Sequence, residues 1–134
     1  MRKVVLDTNI LVSALWSKQG NPYKVVEMLF LEEIVLYYTD EMIEEYEEVL
    51  CRDKFGFSKD RVESLLRELE KNGVLTRPAA GMEVFTDESD RKFYDTAKAN
   101  GATLITGNIR HYPNQPFVTT PFEFLQALDT NMKD

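Results

Sequence analysis

Apolar residues recur along the chain with two periods. Short β-branched and aromatic runs at residues 3–6, 34–38, 103–106 and 117–119 predict strands, and 74–76 a further short one. Between them apolar positions return every three or four residues, the spacing of a helix with one buried face. Residues 8–17 predict a mostly apolar helix, and Asn21-Pro22 reads as an N-cap with proline in the first turn, opening a helix that carries Val25, Val26, Leu29 and Phe30. A helix over about 40–52 buries Met42, Ile43, Tyr46, Val49 and Leu50. The next, capped by Ser58 and stopped by Gly73, buries Val62, Leu65, Leu66 and Leu69. After a loop at 78–81, residues 90–100 form a helix closed by Gly101, and Thr120-Pro121-Phe122-Glu123 is a capping box that starts a last helix through Leu128. Strands separated by helices imply a parallel sheet covered on both faces. The fold class is α/β, a three-layer sandwich with a central, mostly parallel sheet of about four to five strands flanked by helices. No repeat or linker divides residues 1–134, which are read as one domain whose last few residues are a short tail.

Composition narrows the class. A 43% hydrophobic share supplies a core for a chain of this length. Charged residues interrupt every window long enough to cross a bilayer, so no membrane partner is expected. Met1-Arg2-Lys3 is basic like a signal peptide, yet only Val4-Val5-Leu6 follow before Asp7, and the reading is cytoplasmic. The lone Cys51 allows neither an internal disulfide nor a structural zinc site. With 16 basic and 23 acidic side chains the net charge is -7, at first sight an argument against a polyanionic partner. The acids are not spread evenly, however. Glu41, Glu44, Glu45, Glu47 and Glu48 crowd one helix, and Asp87, Glu88 and Asp90 crowd another segment.

In open parallel sheets ligands sit beyond the carboxyl ends of the strands. Asp7 directly follows the first strand, where it serves either as a cap for the helix at Thr8 or as a functional carboxylate; position alone does not decide. Asn108 stands just past another strand. Asp90 heads the stripe of Phe93, Tyr94 and Ala97, so its carboxylate faces the sheet, which is costly for a bare charge unless it is paired or bound to a cation. The helix amino end offers about 0.3–1 kcal/mol of relief by itself. Glu45 and Glu47 flank the Met42, Tyr46, Val49 stripe symmetrically, and periodicity does not choose between them. Asp7, Asp90, one helix glutamate, Asp87 and Asn108 together suggest oxygen ligands for a hard cation such as Mg²⁺ or Mn²⁺, the ions of phosphodiester hydrolysis. His111, the only histidine, lies in a loop beside Arg110 as a surface or phosphate-contacting residue.

Four segments, taken in order, resemble the PIN-domain family of metal-dependent nucleases, in particular its toxin-like branch of VapC-type ribonucleases. They are Val4-Val5-Leu6-Asp7-Thr8-Asn9, Glu45-Tyr46-Glu47-Glu48-Val49-Leu50, Asp87-Glu88-Ser89-Asp90-Arg91-Lys92-Phe93 and Thr103-Leu104-Ile105-Thr106-Gly107-Asn108. The resemblance implies an acidic pocket that holds Mg²⁺ or Mn²⁺ for RNA cleavage. It makes Asp7, Glu45 and Asp90 the first, second and third acids, Asn9 and Thr106 supporting polar residues, and Asp87 an additional acid. Where the family more often has aspartate, this chain has Asn108, which leaves three matched carboxylates and implies one tightly held metal and reduced activity.

The leading expectation is therefore a metal-dependent endoribonuclease, the toxin of a toxin-antitoxin pair, with RNA as substrate and a small antitoxin as partner. The alternative is a catalytically weakened module that binds RNA or protein. Receiver and haloacid-dehalogenase-like domains also place aspartate after the first strand, but the second aspartate of their Asp-x-Asp spacing is Asn9 here. Arg52, Lys54, Lys59, Arg61, Arg91, Lys92 and Arg110 are available to phosphates. Tyr23, Phe30 and Trp16 suit either core packing or a homodimer surface.

Overall fold

The computed structural model describes residues 1–133. Val4, Val5 and Leu6 of the first strand, β1 (Arg2–Leu6), are fully shielded from solvent, as a strand covered on both faces must be. β1 lies at the centre of a five-stranded, all-parallel sheet. It pairs with β2 (Ile34–Tyr38) on one side and β4 (Thr103–Ile105) on the other. β3 (Val74–Leu75) and β5 (Val118–Thr119) form the edges, in the order β3-β2-β1-β4-β5.

Six helices flank this sheet: α1 (Thr8–Trp16), α2 (Asn21–Phe30), α3 (Asp40–Leu50), α4 (Lys59–Asn72), α5 (Arg91–Asn100) and α6 (Pro121–Lys133). α5 packs on β1, β2 and β4, and α2 packs on β2 together with α1, α4 and α6. α3 touches α1, α4 and α5, so it reaches the helices that begin beside the carboxyl ends of the strands. Ser58 caps α4 as expected, accepting from the Arg61 N–H, and Thr39 does the same for α3, accepting from the Met42 N–H. Gly101 closes α5 in the left-handed region at φ 63°.

Several boundaries differ from the sequence reading. Gly20, not Asn21, precedes α2, a one-residue shift of the kind that fraying helix ends allow. α3 stops at Leu50 instead of residue 52, and Ile43 and Val49 are only half-buried. α5 starts at Arg91, since Glu88–Asp90 form a tighter 3₁₀ turn in front of it. The last helix runs past Leu128 to Lys133. Trp16 and Phe30 lie on the surface and not in the core, Trp16 being 64% exposed. Trp16 instead meets Phe55 and Phe57 edge to face. No helix among the described residues is long and apolar enough to cross a membrane.

The strand order places the site. The chain steps outward from β1 through β2 to β3, then returns to the other side of β1 for β4. A crevice forms at such a reversal, beyond the carboxyl ends of the two strands that flank it. Leu6 pairs with Ile105, so Asp7 and Thr106 leave the sheet side by side.

Candidate active site

Asp7 is buried at the mouth of this crevice, and its N–H donates to the Ile105 carbonyl at 3.0 Å. The side chain does not cap α1. Its Oδ2 instead accepts from Thr106 Oγ1 at 2.8 Å and from the Tyr112 hydroxyl at 2.9 Å. Oδ1 accepts no bond among the described residues and is the atom left for a ligand. Two donors on one oxygen hold the carboxylate in a fixed orientation. The Tyr112 phenol is pushed well up from its ordinary range by burial and by the Asp7 and Asp90 charges, so it stays a donor. Tyr46 of α3 is fully buried and donates to the Leu6 carbonyl at 2.6 Å, tying that helix to the end of β1.

Asp90 stands on the opposite wall as the residue before α5. Its carboxylate makes no cap bond to the helix, so the helix amino end is not where its charge is spent. The side chain is 15% exposed, and His111 Nδ1 lies 3.8 Å from Oδ2. Burial, then the charges of Asp7 and Asp87, push the Asp90 carboxyl up to about 6, with Glu45 adding in the same direction and His111 opposing. Asp7, Asp87, Glu45 and Asp90 thus share one electrostatic neighbourhood.

The structure distinguishes the two glutamates that the helical wheel could not. Glu47 is exposed, whereas Glu45 is half-buried beneath α1 and α5. Glu45 Oε1 pairs with Lys92 Nζ at 2.7 Å, and Oε2 accepts from the Thr8 hydroxyl. Asn9 Oδ1 accepts from the Gly107 N–H at 3.0 Å, bracing the loop after β4. Asp87 is exposed and turns Oδ1 to the N–H and hydroxyl of Ser89. Asn108 is exposed as well; its N–H donates to Thr106 Oγ1, and its side chain has no partner among the described residues.

Sequence reasoning missed Tyr112 and Thr8 as parts of the site. Tyr112 lies in a loop outside every periodic segment, and Thr8 looked like an ordinary first helical residue. Lys92 and Arg91 had both been read as available to phosphate. Arg91 is instead turned to the Gly81 and Glu83 carbonyls and to Glu88. Lys92 is paired with Glu45 and also lines a neighbouring cleft of about 530 Å³ with Arg77, Arg91 and the acids Asp40, Glu41, Glu88 and Asp95; Asp7, Glu45 and Asp90 do not line that cleft.

The donor chemistry suits a hard divalent cation: all ligand atoms are oxygens, and mutual repulsion among the acids is what a bound cation would relieve. As the side chains stand, however, no three acidic, histidine or cysteine groups among the described residues are close enough to chelate one ion. Asp7 and Asp90 fit such a group directly. Glu45 fits it only by releasing Lys92.

Comparison with known proteins bears on the same residues. A family model described as the PIN domain matches residues 3–110. Uncharacterized protein MJ1680 of Methanocaldococcus jannaschii is 32% identical over 110 residues, covering 79% of this chain and 70% of its own length. Among solved structures, VapBC2 from Rickettsia felis bound to a DNA fragment from their promoter aligns with a TM-score of 0.56 at 19% identity, over 88% of this chain and 96% of that one. FitAB bound to the IR36 DNA fragment aligns with a TM-score of 0.56 at 18% identity, over 81% and 87%. At those identities the likeness is one of fold. The family match spans most of the chain and contains Asp7, Glu45, Asp90 and Asn108, and the chain belongs to the PIN domain family.

Proposed function

We propose that this protein is a metal-dependent endoribonuclease, using Mg²⁺ or Mn²⁺ to hydrolyse RNA phosphodiester bonds. PIN domains are generally nucleases, and one observation carries the reading to this chain. Asp90 is held partly buried among Asp7, Asp87 and Glu45 where the strand order reverses, an arrangement unfavourable for a merely structural carboxylate. A bound divalent ion would activate water and stabilise charge on the phosphate oxygens. Asp7 and Asp90 would hold it, and Glu45 would serve as a further ligand or as a base that orients the water. Thr106 and Tyr112 hold Asp7 in line, and Asn9 braces the loop that carries Asn108.

The test is cleavage of short structured and unstructured RNAs by the purified protein in Mn²⁺. Cleavage should stop with EDTA and in Asp7→Asn, whose circular dichroism should match the wild type. Equal cleavage by Asp7→Asn would remove the reading. The uncharged, exposed Asn108 favours a second reading, a weakened module that binds RNA or protein, which the same assay separates by binding without turnover. The solved neighbours VapBC2 and FitAB are bound to DNA, and by analogy with these complexes we further propose a small antitoxin as partner. We also propose a cytoplasmic setting, a single domain over residues 1–134 and assembly as a homodimer.

A further inference from the structure

We propose that Lys92 occupies the metal's place at Glu45: the ammonium and the ion compete for the same carboxylate, and the ammonium released on metal loading turns to the substrate phosphate. The inference rests on the metal-dependent reading above and adds a residue to it. Lys92 Nζ lies 2.7 Å from Glu45 Oε1 and donates to the Ser89 carbonyl, while Thr8 holds the other oxygen of Glu45. Both oxygens that a metal would need are therefore engaged. The pair is sheltered, with 14% of the Lys92 and 26% of the Glu45 side chain exposed.

Among the described residues Lys92 is the only lysine or arginine paired with Asp7, Glu45, Asp87 or Asp90; its neighbour Arg91 turns away to Gly81, Glu83 and Glu88. An ammonium is a compact point charge on a flexible stem, able to leave one anion for another nearby. Lys92 also lines the neighbouring cleft of about 530 Å³, where its ammonium is the one of three cations, with Arg77 and Arg91, that also reaches Glu45. With Asn108 supplying no charge, this ammonium is a positive charge beside the metal that the chain supplies from its own side chains.

A plain structural tie between α3 and α5 predicts the opposite sign. Loosening a tie would misplace Glu45 and weaken metal binding, whereas removing a competitor strengthens it. Calorimetric titration of MnCl₂ into the metal-free full-length protein reads that sign. Lys92→Met should bind Mn²⁺ about five- to tenfold more tightly than wild type, as loss of one sheltered ion pair would give. Lys92→Arg, which keeps the charge, should stay within about twofold. Lys92→Met should at the same time cleave RNA more slowly, so that metal affinity and turnover move in opposite directions. In a Glu45→Gln background Lys92→Met should leave Mn²⁺ affinity unchanged. Unchanged or weaker Mn²⁺ binding by Lys92→Met, or an effect that persists with Glu45→Gln, would overturn the assignment. Should Lys92→Met melt below the assay temperature, Lys92→Gln carries the same expectations. Wild-type protein that binds no Mn²⁺ overturns the metal reading itself, and this inference with it. Wild-type binding that the variant does not shift overturns the role of Lys92 alone.

Discussion

Asp90 holds its proton more tightly in the folded chain than in the unfolded one, and that difference fixes a pH dependence. Its carboxyl is raised from 3.8 to about 6 by burial and by Asp7 and Asp87. Between those values the native state binds more protons, so without metal this residue lowers stability as pH rises from about 4 to 6, and the full penalty persists above. Asp90→Asn removes the penalty. Urea unfolding at pH 7 in EDTA should find the variant more stable by about 1 kcal/mol, allowing for solvent screening, with the gap closing near pH 4. The position of this residue was legible from the sequence because a carboxylate heading an apolar stripe must face the sheet. Asp7 was legible as a polar residue at a strand end. Periodicity did not separate Glu45 from Glu47, because the two flanks of a helix are equivalent until α1 and α5 are placed against one of them; only the family resemblance chose Glu45. Tyr112 left no trace at all, since its partner lies 105 residues away and no period marks a loop.

At the scale of elements, two glycines end helices for different physical reasons. Gly73 follows α4 at a negative φ, but a Cβ there would fall 2.7 Å from the Leu69 carbonyl oxygen and 2.9 Å from that of Leu36. Gly101 has open space and a left-handed φ of 63°. Gly73→Ala must displace backbone and should destabilise by about 1–3 kcal/mol. Gly101→Ala pays only for handedness, about 1 kcal/mol. Thermal or urea unfolding should therefore rank Gly73→Ala as the more damaging, and a reversed order would refute the steric account. The sequence marked both as helix stops without separating the reasons. Element order and type were legible because periods of two and of three to four residues are set by burial. The ends were not, as shown by the 3₁₀ turn before α5 and by α6 continuing to Lys133, because hydrogen bonding in the last turn depends on neighbours in space.

For the molecule as a whole, acidic side chains outnumber basic ones 23 to 16, a net charge of -7. Part of the positive charge is held locally, Arg52 pairing with Glu48, Arg91 with Glu88, Lys92 with Glu45 and Lys98 with Glu83. The excess of acids opposes long-range attraction of a polyanion. Anisotropy of a labelled single-stranded RNA in EDTA should show log affinity falling against log salt with a slope no steeper than about -3. A slope near about -6 would refute this expectation. The strand order that places β1 at the centre has one more consequence, in the time course of synthesis. Asp7 leaves the ribosome early, whereas Thr106 and Tyr112, which orient it, follow 99 and 105 residues later. Until those residues emerge the nascent chain carries an untethered first carboxylate and no crevice. As the nuclease proposed above, the chain would have no assembled site with which to cut the message being read until Tyr112 had emerged.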